Sequence, residues 1–359
     1  MASDREKMGL RGPVKTIVEE AVDPTTGTAN QPGGERKQQE FDPEGRLLIY
    51  RGASGGSEWV STNTYDGNGR FLQSTSASAG SVYHETAYEY DDEGRLARYT
   101  SKGSQGATET KITYDANGQK SATHRFDAQV FERNRKTATP GPSVGLLQMA
   151  ELGFGVPDGG SVRTIYDPCD QPVEAEILSV DGQVVQRIVR TYDAANRLVE
   201  EKQIVINPDY MIPGGVRAQM MLQSGATLEG LRERLGKFFG GQDGLSKISN
   251  TYDNQGRLLE TCVRKAPFYE QRRIVKYNEA GDISEERITT RGAYGAKLDE
   301  HGNVTPDVSP VPEPTQISSR RDYTYDDRGN WVEQTSSVAG GSQGQFQTPT
   351  IRRRQITYY

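Results

Sequence analysis

The chain has 359 residues, of which 26% are charged, and a formal net charge of −6. Leu, Ile, Val and Phe together number 67, about 19%, a level at which highly charged chains stay disordered, yet here the net charge is small. No apolar run approaches the roughly 18–20 residues of a membrane-spanning helix, and the slightly acidic, mixed charge excludes the basic face of a nucleic-acid binder.

The opening residues, Met1-Ala2-Ser3-Asp4-Arg5-Glu6-Lys7, hold no apolar stretch, so no signal peptide is expected in this chain. From residue 41 onward one phrase recurs: an aromatic residue, Asp, two variable residues, Gly, Arg and Leu. It reads Phe41-Asp42-Pro43-Glu44-Gly45-Arg46-Leu47, then Tyr65-Asp66-Gly67-Asn68-Gly69-Arg70-Phe71. Tyr90-Asp91-Asp92-Glu93-Gly94-Arg95-Leu96 and Tyr114-Asp115-Ala116-Asn117-Gly118-Gln119-Lys120 follow. Later copies begin at Tyr166, Tyr192, Tyr252, Tyr277 and Tyr325, and Leu298-Asp299-Glu300-His301-Gly302-Asn303-Val304 is a worn copy. The first steps of 24, 25 and 24 residues set a period, and steps of 52 and 60 each mark a repeat plus an insertion. The closing Ile356-Thr357-Tyr358-Tyr359 resembles the first half of a further unit.

The phrase has the chemistry of a hairpin turn. A leading Asp accepts hydrogen bonds from backbone N–H groups two residues on. A Gly three residues later supplies the positive φ that ends such a turn. Asp66 with Gly69, Asp91 with Gly94, Asp115 with Gly118, Asp253 with Gly256 and Asp326 with Gly329 are therefore read as structural pairs. Two copies carry Asp170 and Asn196 at the Gly position, the residue types that best tolerate that conformation after Gly. Thr precedes the leading Tyr at Thr64, Thr113, Thr191, Thr251 and Thr324, and both residue types favour strands. Arg46, Arg70, Arg95, Arg197 and Arg257 are placed to pair with nearby carboxylates, each exposed pair contributing about 0–1 kcal/mol.

Two segments break the cadence, at about 127–161 and about 206–247. In the first, Ser143–Ala150 reads as a short helix entered after Pro140-Gly141-Pro142. In the second, Leu228, Leu231, Leu235, Phe238 and Phe239 follow helical spacing ahead of Gly240-Gly241. A Met-rich stretch with Met220 and Met221 precedes it as a second short helix. These helices either cover a wet face of the sheet or present adaptable apolar contacts to a partner.

Catalytic signals are sparse. His84, His124 and His301 have no metal-ligand spacing, and the two cysteines, Cys169 and Cys262, are too few for a disulfide framework. Gly153–Gly160 only partly matches a dinucleotide loop, and no Gly-x-Ser-x-Gly elbow is present. The repeat aspartates have turn duties, and one acid per turn falls short of the six to eight oxygens of a calcium site. Neither a cofactor nor a metal is expected. Trp59 is the aromatic best placed for surface contact, whereas Trp331 takes the Leu position of the phrase. Arg352-Arg353-Arg354 reads as an alternating edge strand whose charges discourage edge-to-edge association.

The phrase resembles the YD repeat of the Rhs family, which also occurs in teneurins and insecticidal toxin-complex shells. Gly9-Leu10-Arg11-Gly12-Pro13-Val14-Lys15 resembles the start of small exported bacterial proteins of this type, and the likeness runs from about residue 13 to the end. In that family the hairpins form a spiralling sheet, which in large members encloses a toxin. The resemblance implies a secreted or surface-associated protein. No counterpart of the family's self-cleaving core is found, and no effector domain is expected downstream.

The sequence thus predicts a single all-β domain over 1–359, built of repeated β-hairpins of about 24 residues. They are expected to form one continuous curved or spiralling sheet, a β-solenoid, with two mainly helical insertions. The expected function is a non-catalytic binding or structural module meeting a protein or glycan through its concave sheet or its helices. The alternatives are a carbohydrate-active enzyme with paired carboxylates and a small container for a separately encoded toxin.

Overall fold

The computed structural model describes residues 3–23, 35–104, 106–136, 144–210, 227, 229–230, 244–265, 268–292, 296–298, 304–306, 313–340 and 346–359. Helix α1 (Asp4–Lys7) starts on a capping box in which Ser3 and Glu6 bond each other's backbone N–H. Strand β1 (Val14–Val22) leads to the hairpins β2 (Arg36–Phe41) with β3 (Leu47–Ser54) and β4 (Ser57–Tyr65) with β5 (Phe71–Ser78). Next come β6 (Ser81–Tyr90) with β7 (Leu96–Gly103) and β8 (Gly106–Tyr114) with β9 (Lys120–Phe126). Helices α2 (Ala128–Lys136) and α3 (Leu146–Glu151) then interrupt the strands. The ladder resumes with β10 (Ser161–Tyr166), β11 (Pro172–Leu178), β12 (Val184–Tyr192) and β13 (Leu198–Val205). Beyond the second break lie β14 (Ser246–Tyr252), β15 (Leu258–Lys265), β16 (Tyr269–Tyr277) and β17 (Ile283–Gly292). Short strands β18 (Ala296–Leu298) and β19 (Val304–Pro306) precede β20 (Thr315–Tyr325), β21 (Trp331–Gly340) and β22 (Thr350–Tyr358).

Twenty of these strands belong to one sheet, while β18 and β19 pair only with each other. The worn repeat copy thus forms its own small hairpin, with Leu298 opposite Val304. The last strand, β22, lies between β21 and β1, so the strand order returns to its start. This is the connectivity of a closed antiparallel barrel, and it corrects the expected open, spiralling solenoid. The physical reason is that the two end strands, which a spiral leaves as bare edges, satisfy each other's backbone groups. Arg352, Arg353 and Arg354 therefore sit on an interior strand, not on the expected edge.

The chain divides into two compact units. The first comprises Met1–Ser104, Lys276–Glu286 and Ile317–Tyr359, and the second Gln105–Val275 and Arg287–Gln316.

In the first unit the two chain ends build a repeat between them. In an intact copy Tyr65 pairs with Phe71, Thr64 with Gln73, and Asp66 N donates to Arg70 O. At the seam Tyr358 pairs with Val14, Thr357 with Thr16, and Tyr359 N donates to Pro13 O. Gly12, with φ +74°, takes the place of the turn glycine. The half-unit at the C-terminus is thus completed by the N-terminal segment. Beneath it Leu10, Val14, Ile17 and Phe41 are buried together, with Leu47, Ile356 and Tyr358 packed against them.

In the second unit helix α3 lies on the sheet. Leu146, Leu147 and Ala150 are buried against Val162, Ala175, Ile177, Ile188, Ile248 and Val263. A helix of six residues does not hold itself together in water. Its stability comes from this burial, roughly 1.5–3 kcal/mol for each large aliphatic side chain removed from water. The repeat turns join the strands at one end of this unit, and both long insertions leave from the other end.

Candidate functional site

Wherever the phrase carries both Asp and Arg, the repeat turn is held by the same Asp-to-Arg bonds. Asp66 Oδ1 accepts from the backbone N–H of Asn68 at 2.9 Å and of Arg70 at 2.8 Å, while Oδ2 accepts from Arg70 Nε at 2.6 Å. The same Arg-to-Asp bond joins Arg95 to Asp91, Arg197 to Asp193 and Arg257 to Asp253. The guanidinium held this way covers the ring of a Tyr in the next copy: Arg46 over Tyr65, Arg70 over Tyr90, Arg197 over Tyr252. That Tyr in turn donates its hydroxyl to the carbonyl just past the Arg: Tyr65 to Leu47 O, Tyr90 to Phe71 O, Tyr252 to Leu198 O. Asp, Arg and Tyr thus form a chain of contacts from one turn to the next.

Glycine completes the turn. Gly69, Gly94, Gly118, Gly256 and Gly329 have φ between +77° and +82°, and Asp170 and Asn196 stand at +62° and +58°. A turn of the same kind occurs at Ser179-Val180-Asp181-Gly182-Gln183, with Ser179 Oγ accepting from Gln183 N at 3.0 Å in place of an Asp. This turn lies outside the recurring phrase because it has neither the aromatic residue nor the leading Asp. Its signal is a Gly three residues after a short hydroxyl side chain, between two apolar runs.

These bonds shift the aspartates. The backbone N–H of Arg70 holds Asp66 below the ordinary carboxylate range, and the Arg197 guanidinium does the same for Asp193. At Asp91 burial alone pushes upward, and the bonds from Arg95 outweigh it. A carboxylate with a lowered folded value gives stability that is full above its unfolded value of about 3.9 and fades as pH falls through the folded value. The melting temperature is therefore expected to be flat from pH 7 down to about 4 and to drop on further acidification. In an Asp66→Asn, Asp193→Asn double variant that drop should be shallower. An unchanged melting temperature from pH 6 to pH 2 would contradict the turn chemistry.

The last copy departs from the pattern at the seam. Asn330, 3% exposed, replaces the Arg. Its Oδ1 accepts from Arg11 N at 2.7 Å, and its Nδ2 donates to Arg11 O at 2.9 Å and to the Tyr358 hydroxyl at 2.8 Å. Tyr358 donates to Asp326 Oδ2, the atom that an Arg occupies elsewhere. Along β22, Arg354 pairs with Glu19 at 3.0 Å and lies 3.4 Å above the Trp331 ring, while Arg353 pairs with Glu333 at 2.7 Å.

Beside this seam is a polar cleft of about 490 Å³ lined by Gly281, Asp282, Ile283, Arg321, Tyr323, Gln334, Ser336 and Arg352. Arg321 is held by Glu286 at 2.7 Å, and Gln334 donates to the Tyr323 hydroxyl at 3.1 Å. Arg352 makes longer pairs, 3.7 Å to Glu19 and 3.4 Å to Glu35, and is 42% exposed. At the cleft wall Tyr325 donates to Asp282 Oδ2 at 2.8 Å, and burial together with that carboxylate pushes the phenol up to about 12. The arrangement gathers donors and acceptors, Arg321, Arg352, Gln334, Ser336, Tyr323 and Asp282, around one space. It suits a polar ligand and contains no nucleophile activated by a base.

Trp59 packs edge-on against Tyr50, with ring centroids 4.9 Å apart, and lies over the strand glycine Gly52, where a side chain would collide with its ring. Met220, Met221, Leu228, Leu231, Leu235, Phe238 and Phe239 lie outside the described residues. Cys169 is exposed and Cys262 half-buried, both as free thiols. Among the described residues no group of His, Cys, Asp and Glu is arranged to hold a metal ion, and no helix is long and apolar enough to cross a membrane. Glu201, buried on β13, carries no local sequence signal.

No known protein family and no curated protein matches the sequence. Among solved structures the chain is similar to a porin-like protein from Bacteroides uniformis, with 11% identity and a TM-score of 0.31 over 97% of this chain and 99% of that one. It is also similar to TcdB2-TccC3, with 12% identity and a TM-score of 0.32 over 92% of this chain. A second TcdB2-TccC3 structure, without its hypervariable C-terminal region, gives 10% identity and 0.18. The chain spans 16% and 19% of those two longer chains. Values this low define neither family nor activity.

Proposed function

We propose that this chain is a YD-repeat scaffold that binds and does not catalyse, and that it meets a polar protein or glycan partner through the cleft beside the seam. The observation that carries this reading is the turn-to-turn chain of Asp, Arg and Tyr. Many of the carboxylates and tyrosines are tied into wall-building contacts, with both oxygens of the turn Asp engaged wherever the phrase carries an Arg. What a wall of this kind leaves for recognition is surface, and the cleft is where polar side chains gather without filling the space. By the same resemblance, the protein acts outside the cytoplasm. A second reading, a small container for a separate polypeptide, is favoured by the return of the strand order from β22 to β1.

The test is a titration of the whole protein with panels of oligosaccharides and of unstructured polypeptides, run beside assays with chromogenic glycosides. Saturable binding without turnover is the expected result. Glycoside turnover that is lost in an Asp282→Asn or Glu286→Gln variant would overturn the proposal in favour of an enzyme.

A further inference from the structure

The side chains of the cleft share one face of β20–β22. Arg321 stands opposite Ser336, Tyr323 opposite Gln334, and Gln334 opposite Arg352. Asp282 closes the far end, at the start of β17, which pairs with β20. Asp282 and Arg352 are thus three strand spacings apart, roughly 14 Å. The two ends differ in charge. Asp282 accepts from the Tyr325 hydroxyl through one oxygen, and a carboxylate has capacity for further donors. At the other end each carboxylate near Arg352 holds another cation more closely. Glu19 lies 3.0 Å from Arg354 and 3.7 Å from Arg352. Glu35 lies 2.6 Å from Lys37 and 3.4 Å from Arg352. Three cations therefore share two carboxylates, and Arg352 is held the most loosely of the three. Arg321, by contrast, is committed to Glu286 at 2.7 Å.

We infer that the cleft takes an acidic oligosaccharide, with the carboxylate of a uronic acid unit seated on Arg352 and hydroxyls of a neighbouring unit donating to Asp282. This rests on the reading of the cleft as the partner site. Nη1 and Nη2 of Arg352 each lean on a separate, distant carboxylate, whereas one ligand carboxylate satisfies both N–H groups side by side. Between the ends, Gln334, Ser336 and the Tyr323 hydroxyl offer polar atoms at the spacing of the strands, which suits the hydroxyls of a sugar chain. An extended peptide gains its affinity by adding to a sheet edge. Here β20 is flanked by β17 and β21, β21 by β20 and β22, and β22 by β21 and β1, so this face offers no edge to join. Recognition falls to side chains alone, and the loosely held guanidinium makes it selective for a negative charge.

Calorimetric titration of the whole protein with oligomers of galacturonate, glucuronate and mannuronate, each beside its carboxyl-reduced neutral counterpart, tests this. At least one uronate should bind saturably and roughly tenfold or more tightly than its neutral counterpart. That advantage should shrink as salt rises. Arg352→Gln should remove it and leave the neutral sugar unchanged, and Arg352→Lys, which keeps the charge without the fork, should lose part of it. Arg353→Gln, on the opposite face of the same strand, should bind like the unaltered protein. Equal affinity for a uronate and its neutral counterpart, or uronate binding that both Arg352 variants leave intact, would overturn the inference. If an unstructured polypeptide binds and no sugar does, the inference falls and the binding reading stands; if no probe binds, both fall. The comparisons of ligand and salt need no variant, so they decide even where a variant fails to fold.

Discussion

Replacing Glu201 with Ala is expected to destabilise the second unit by about 3–5 kcal/mol, the usual cost of stripping one partner from a buried charge pair. The change leaves Arg190, whose own side chain is 17% exposed, without its carboxylate, and it removes the acceptor for the first N–H groups of α3. Two losses then coincide: an uncompensated cation and an uncapped helix whose apolar residues cover the sheet. The neighbouring Glu200→Ala is the control. Glu200 pairs with Lys247 but is 35% exposed, so its removal should shift stability by about 0–1 kcal/mol. Thermal and urea melts of the two variants should therefore separate widely. Equal shifts would mean that α3 is not held by this carboxylate.

Gly94→Val is expected to cost about 2–3 kcal/mol, and Glu93→Val less than about 0.5 kcal/mol. Gly94 has φ +78°, a conformation that a β-branched residue adopts only under strain. A side chain there would also start 2.9 Å from Arg70 Nη1. Arg70 has little freedom to withdraw, because Asp66 holds its Nε and the Tyr90 ring lies beneath its guanidinium at 4.6 Å. The substitution thus strains its own turn and disturbs the preceding one. Gly94→Asn should fall between the two, since Asn tolerates positive φ and stands at the corresponding position 196 without harm. Melts in which Gly94→Val and Glu93→Val coincide would count against the turn geometry.

The sequence made the hairpins legible because the demand is local. Positive φ at residues 170 and 196, where Asp and Asn stand instead of Gly, is the kind of constraint a seven-residue phrase can carry. The period placed the turns for the same reason. Closure was not legible in that way, since Thr16 and Thr357 meet across 341 residues and no window spans them. A trace of it existed all the same. The half-unit Ile356–Tyr359 and the segment Gly12-Pro13-Val14 are two parts of one phrase, and either alone reads as an ending. The cleft was illegible because Arg321, Gln334 and Arg352 stand on three different strands. Glu201 shows the same limit: in Leu198-Val199-Glu200-Glu201-Lys202 nothing local distinguishes the buried acid from the exposed one beside it.

The seam also orders events in time. During synthesis β1 emerges before β22, and the ladder between them cannot form until β22 has left the ribosome. Until then one long side of β1 is a sticky template, exposed for as long as the intervening 330 or so residues take to appear. Lys15, Glu19 and Glu20 lie along that strand, and their charges deter chance pairing with a neighbouring nascent chain. One of them later pairs with incoming arginines: Glu19 receives Arg354 at 3.0 Å and Arg352 at 3.7 Å. A side chain that guards the strand while it waits becomes the docking guide that admits its final partner.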